Sequence, residues 1–206
     1  MHIIPQSQVN IAELQQHIRQ GKVLVYPTET CYGLGADATN VQAVEHVFHI
    51  KKREAGKPVL VLFPSVEILK NFVEWNNDLE KIAQKYWPGA VTVLARSLPD
   101  SQFAPGVLND NNEVAVRISP YPFVSDMVRT LGVPLVSTSA NISGGENPYS
   151  ITEVMQNFDS QKVQPDILID GGELSHIPPS TLVRVHNGII EVLRQGSITV
   201  QLDDNE

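Results

Sequence analysis

Apolar residues recur along this chain with two periods, and the switch from one to the other marks its elements. Ile11, Leu14 and Ile18 fall on one helical face, with Asn10 placed to cap the start and Gly21 to end it. A short apolar run predicts a buried strand over 23–26, followed by a loop over 27–35. Asn40 opens a helix with Val41, Val44, Val47 and Phe48 inward, which runs into a basic cluster. Residues 59–63 read as a strand, and Pro64-Ser65 opens a helix to about Val73. Leu79, Ile82, Ala83 and Tyr86 share one side of a further helix that stops at Trp87-Pro88-Gly89. Strands over 91–95 and 114–118 flank an aperiodic stretch, 96–112, whose length predicts a functional or mobile loop. Phe123, Met127, Val128 and Leu131 make a helix closed by Gly132. Pro134 then opens a strand ending in Ser137-Thr138-Ser139-Ala140-Asn141. A helix over 151–158 and a strand over 167–170 follow. The last signal is a hairpin of 182–185 and 189–193 about an Asn-Gly turn at 187–188. Alternating helices and strands predict one α/β domain over 1–206 around a mixed sheet. The acidic end, 197–206, reads as a frayed tail.

Composition narrows the function classes. The chain is 42% apolar and 18% charged, a balance that suits a packed core and not disorder. Cys31 is the one cysteine, so no intrachain disulfide forms and a reducing, cytoplasmic setting is expected. The start lacks the basic and apolar regions of a signal peptide, and the longest apolar run is far short of a membrane span. The net charge of −8 argues against non-specific coating of nucleic acid. Against that background Lys51, Lys52, Arg53 and Lys57 form a dense basic cluster, opposed only by Glu54. It reads either as a solvated helix end or as a site for a small polyanion such as a nucleotide.

Several chemistries find no support. There is no phosphate-binding P-loop sequence and no Gly-x-Ser-x-Gly elbow. Gly33-Leu34-Gly35-Ala36-Asp37-Ala38 mimics a dinucleotide fingerprint but sits wrongly between strand and helix. His46 and His49 share a helix face without a third metal ligand nearby in sequence. What remains is a set of polar residues at strand ends: Thr28, Glu29 and Thr30; Arg117; Ser137, Thr138, Ser139 and Asn141; Ser180 and Thr181; Arg194. Ligands of open α/β sheets bind beyond strand ends. Each hydroxyl could instead bond its own turn. Arg117, alternating with Val116 and Ile118, needs solvent or a carboxylate or phosphate partner.

These residues fall into motifs that occur in a fixed order. They are Tyr26-Pro27-Thr28-Glu29-Thr30-x-Tyr32-Gly33-Leu34-Gly35, Lys51-x-Arg53 with Pro58 following, and Trp87-Pro88-Gly89. Val116-Arg117-Ile118, Ser137-Thr138-Ser139-Ala140-Asn141-x-Ser143-Gly144 and Pro179-Ser180-Thr181 complete the set. Over about 11–196 the chain resembles the YrdC/TsaC family of threonylcarbamoyl-AMP synthases, in its short bacterial form. The resemblance implies a twisted mixed sheet with flanking helices around a concave, positively charged cavity. It implies synthesis of threonylcarbamoyl-AMP and pyrophosphate from L-threonine, bicarbonate and ATP. That product goes to a downstream tRNA threonylcarbamoyl transferase complex; a direct contact with tRNA stays open. By the same resemblance Thr30, Arg117, Ser139 and Ser180 match threonine-site positions. Arg53, Lys57, Asn141, Tyr149 and Arg194 match ATP-site positions, and Lys51 joins Arg53 in the catalytic motif. Mg²⁺ is expected to arrive with ATP, without a dedicated protein metal site. Ser119 stands where a proline is usual, and Cys31 where an aliphatic residue is common. Two other readings compete: an RNA-binding cavity protein without catalysis, and a paralogue with another carbamoyl or adenylyl substrate.

Overall fold

The structure is a computed structural model, and it describes residues 1–53 and 59–202. Side chains set most helix starts. Asn10, Asn40, Ser65, Asn76 and Ser150 each accept a backbone N–H at the head of α1 (Ile11–Arg19), α2 (Val41–Lys51), α3 (Val66–Leu69), α4 (Asn77–Tyr86) and α6 (Ile151–Phe158). At α6 Glu153 completes a capping box with Ser150. Helix α5 (Pro122–Leu131) begins on a proline instead, and Gly132 ends it in the left-handed region at φ 68°.

Ten strands form one sheet among the described residues. They are β1 (His2–Pro5), β2 (Leu24–Tyr26), β3 (Gly33–Asp37), β4 (Leu60–Leu62) and β5 (Val91–Arg96). The rest are β6 (Glu113–Arg117), β7 (Leu135–Ser139), β8 (Ile167–Asp170), β9 (Thr181–His186) and β10 (Ile189–Arg194). The order is β1-β8-β2-β3-β7-β4-β6-β5-β9-β10. Parallel pairs (β4 with β6, β5 with β9) and antiparallel pairs (β3 with β7, β4 with β7) mix, as the alternation of elements predicts.

Strand periodicity divides the core between two faces. Val61, Val93, Val114, Val116, Val136 and Val183 point to the face covered by α2, α4 and α6, where they meet Val44, Val47, Ile82 and Val154. Leu24, Tyr26, Leu62 and Leu135 point to the other face, against Leu14 and Ile18 of α1 and Met127 and Leu131 of α5. These two helices cover only part of that face.

Some expectations need correction. Residues 33–37 form β3, where a loop over 27–35 was expected. Backbone pairing with β2 and β7 makes this strand, not side-chain alternation. Its glycines allow close approach: a Cβ on Gly35 would lie 2.6 Å from Tyr26 Cε1 and 2.8 Å from the Val136 carbonyl. The fingerprint-like glycines therefore serve packing. Strand β1 carries no burial pattern that sequence could reveal, because it is a mostly exposed edge strand. Val41 is 44% exposed, outside the inward face assigned to it. The helix expected to reach Val73 stops at Leu69, and Val73 instead bridges Ser97. Within 96–112, Ala104 and Val107 are buried, and the Ala104 N–H donates to the Ala38 carbonyl at 2.8 Å. The end is not frayed up to residue 202. Val200 is buried, and the Ile198 carbonyl accepts the Thr181 hydroxyl. Residues 203–206 lie outside the described residues.

Candidate active site

The part of the sheet face that α1 and α5 leave uncovered is polar. Alternation along β6 and β7 sends Ala115 and Arg117, and Ser137 and Ser139, to this face. Register then gathers them. Leu62 pairs with Arg117, and Gly33 pairs with Ser139. Beside them Thr92 of β5 pairs with Leu182 of β9, which brings Ser180 alongside. The Trp87-Pro88-Gly89 turn sets the start of β5, because the Gly89 N–H donates to the Ile118 carbonyl at 3.0 Å. The result is a cavity of about 280 Å³ whose walls include Thr30, Arg53, Thr92, Arg117, Ser139, Ser180 and Arg194. It adjoins a second lobe of about 550 Å³ bounded by Lys51, Lys52, Arg53, Asn141, Ser143 and the Gly144-Gly145 backbone. Arg53, Thr138, Ser139 and Asn147 border both.

The electrostatics of these lobes oppose those of the chain. Lys51, Lys52, Arg53, Arg117 and Arg194 contribute to the walls, and no carboxylate does among the described residues. The basic cluster is thus resolved residue by residue. Helix α2 ends at Lys51, and Lys52 takes a left-handed turn at φ 50° with its side chain exposed. Past that turn Arg53 borders both lobes. Burial pulls the Arg53 guanidinium below the ordinary arginine range, yet an arginine stays cationic at neutral pH. Lys57, with Glu54 and Pro58, lies outside the described residues.

Lys51 is 2% exposed, and its ammonium is spent on the protein. It donates to the Ser139 carbonyl, the Asn141 carbonyl (2.8 Å) and Asn141 Oδ1 (3.0 Å). Burial, and after it the charge of Arg53, push the lysine down to about 7. At that value the amine is about half protonated at neutral pH. Asn141 is likewise engaged: Oδ1 also accepts the Ser139 hydroxyl at 2.7 Å, and Nδ2 donates to the Gly145 carbonyl at 2.6 Å. Lys51 and Asn141 therefore shape the 139–145 loop.

Around Arg117 the contacts differ. Its Nη1 meets Glu29 Oε1, and Nε is buried with no acceptor in the chain. The Ser180 and Thr92 hydroxyls lie 2.7 Å apart, and Arg194 Nη2 donates to the Ser180 carbonyl at 2.9 Å. Thr28 Oγ1 donates to the Cys31 carbonyl at 2.7 Å, which fixes the turn bearing Thr30. Burial pushes the Cys31 thiol up to about 11, so it is a neutral thiol at physiological pH. Tyr149 is not in either wall; its ring stacks on His176 with centroids 3.9 Å apart. His46 lies 3.8 Å from Asp166, away from the cavity. Among the described residues no three His, Cys, Asp or Glu side chains are grouped to hold a metal.

Sequence reasoning missed Thr92 and Asn147. Thr92 is one hydroxyl in an apolar strand, and only the pairing of β5 with β9 reveals its place. Asn147 lies in a polar loop with no spacing signal.

Comparison with known proteins follows the same geometry. The Sua5/YciO/YrdC family model, described as "Telomere recombination", matches residues 16–196. A threonylcarbamoyl-AMP synthase of Marinobacter nauticus is 32% identical, over 87% of this chain and 93% of its own length. One from Bacillus subtilis is 30% identical over 92% of this chain, which spans 54% of that longer protein. The crystal structure of Pyrococcus abyssi Sua5 complexed with L-threonine superposes with a TM-score of 0.83 at 31% identity. It covers 95% of this chain and 58% of its own. With a family match across most of its length and the same fold, the chain belongs to the Sua5/YciO/YrdC family.

Proposed function

We propose that the cavity makes threonylcarbamoyl-AMP and pyrophosphate from L-threonine, bicarbonate and ATP. The carrying observation is five basic side chains and no carboxylate in the described walls of two joined lobes, in a chain of net charge −8. Such a site concentrates anions, and all three substrates bring negative groups. The names of the relatives and the threonine-bound Sua5 structure point the same way.

The chemistry needs no protein nucleophile. The neutral amine of threonine attacks the carbon of bicarbonate or of carbon dioxide derived from it. A carbamate forms: with bicarbonate the amine proton leaves with the displaced hydroxyl as one water, and with carbon dioxide the amine releases a proton instead. A carbamate oxygen then attacks the α-phosphorus of ATP, and the bond to pyrophosphate breaks. Rate comes from holding the reactants in line and neutralising the charge that moves to the leaving group. Arg117, with Nε lacking an acceptor, is suited to the threonine carboxylate. The hydroxyls of Thr30, Ser139 and Ser180 face the remaining polar groups of the amino acid. Arg53 and Arg194 face the phosphates. Lys51 and Asn141 hold the loop beneath them. Mg²⁺ enters as part of the MgATP substrate. The product is consumed by a transferase acting on tRNA.

The test is pyrophosphate release from ATP by the purified protein with bicarbonate and Mg²⁺. Release that depends on threonine supports the reading. Binding of RNA without such release would favour a non-catalytic cavity protein. Release driven by a different amine would favour a paralogous substrate.

A further inference from the structure

The direction in which Arg117 presents its guanidinium is set by two residues that do not line the cavity. One carboxylate oxygen of Glu29 takes Nη1, and the other accepts the Ser119 hydroxyl at 2.8 Å. Ser119 is itself fixed, because its oxygen accepts the Tyr121 N–H at 3.2 Å ahead of α5. Glu29 sits in a turn held at both sides: the Thr28 oxygen accepts the N–H groups of Thr30 (3.1 Å) and Cys31 (3.3 Å). Arg117 and Ser119 are buried. A guanidinium has two edges that can grip a carboxylate in bidentate fashion, and occupation of Nη1 leaves the one bearing Nε. That Nε is the donor for which the chain supplies no acceptor.

We propose that Glu29 and Ser119 are positioning residues: Ser119 fixes Glu29, and Glu29 fixes the rotation of Arg117 so that its Nε edge meets the carboxylate of the incoming amino acid. The identity of that carboxylate rests on the synthase reading above. Positioning and simple charge balance predict opposite results. If Glu29 only neutralises Arg117, its removal strengthens attraction for a ligand carboxylate. If it orients Arg117, its removal weakens productive binding although the site becomes more positive.

The experiment uses the full chain and the variants S119A, S119T, E29A and E29Q, with S119A and E29Q as the milder pair should E29A fold poorly. Threonine KM and ATP KM are measured separately. S119A is expected to raise threonine KM by about tenfold, within the range by which contacting residues couple, with ATP KM unmoved. S119T, which keeps the hydroxyl, restores a near-normal value. In the E29A background, S119A adds no further change in threonine KM. A second readout needs no turnover: the Arg117 Nε–H resonance in ¹⁵N-labelled protein, identified by its loss in R117K. It is expected to shift or broaden in S119A and E29Q and to return in S119T. The proposal is overturned if S119A lowers thermal stability without moving threonine KM or the resonance. It is also overturned if E29A or E29Q tightens threonine binding. If wild-type protein shows no threonine turnover, the synthase reading fails, and the resonance alone still decides whether Glu29 and Ser119 orient Arg117.

Discussion

The two lobes of the cavity balance their positive charge differently. In the smaller lobe Arg117 is backed by Glu29, and hydroxyls from Thr30, Thr92, Ser139 and Ser180 crowd the wall. In the larger lobe Lys51 is satisfied by neutral carbonyl oxygens, and no carboxylate lies in the described wall. A site lined by hydroxyls, with Arg117, one of the three arginines in its described wall, paired to a carboxylate, suits a small zwitterion. A roomier site with Lys52, Arg53 and the Gly144-Gly145 backbone in its wall suits a polyanion. On the proposed function, the amino acid takes the first lobe and the nucleotide the second.

The largest way to break this contrast is Arg53→Ala. A contact to developing charge in a partly desolvated site predicts a loss of about 10²-fold or more in kcat/KM for ATP. Lys70→Ala is the matched control. It removes the same unit of charge from a surface lysine paired with Glu80, and it should leave ATP kinetics near wild type. Similar activity in both variants would deny the larger lobe its nucleotide.

Arg117→Ala sharpens the other side. Loss of a charge-assisted pair should weaken threonine by roughly tenfold to 150-fold. ATP affinity measured without threonine should barely change. Calorimetric titration of each ligand separates the two, and a collapse of ATP binding in a folded variant would merge the lobes into one site.

A smaller effect is expected at Lys51, where the account assigns loop support. Lys51→Met strands buried carbonyl acceptors and should cost roughly 1–3 kcal/mol for each left unpaired, read by denaturant unfolding. The smallest effect is its pH dependence. The folded-state lysine titrates at about 7 and the unfolded one at 10.5, so the unfolded chain binds more protons in between. Wild type should therefore gain stability relative to Lys51→Met as pH rises from about 7 towards 10. A gap that stays flat or shrinks over that window would contradict the burial of this amine.

What sequence could reveal followed the side chains, and what it hid followed the backbone. The valine runs and the caps at Asn10 and Asn40 made α1, α2 and the central strands legible. The turn at Asn187-Gly188 did the same for the terminal hairpin, with both residues at positive φ. Strand β3 was hidden because its pairing rests on glycines that leave no alternation. In the site, Arg117 announced that it needed an anionic partner. That Glu29 supplies part of it depends on a pairing across 88 positions that no local pattern encodes. Lys51 and Asn141 were legible as important polar residues. Their polar atoms turn towards the protein, which only the fold decides.

The central claim is that one cavity joins threonine, bicarbonate and ATP, and labelled bicarbonate tests it most directly. Incubated with the protein, MgATP and threonine, the label should enter an AMP adduct. With valine in place of threonine it should enter about 10⁴-fold less efficiently, because hydroxyl-bonding partners in the smaller lobe are left unpaired. Label that enters equally with valine, or fails to enter an AMP adduct with threonine, would contradict the account.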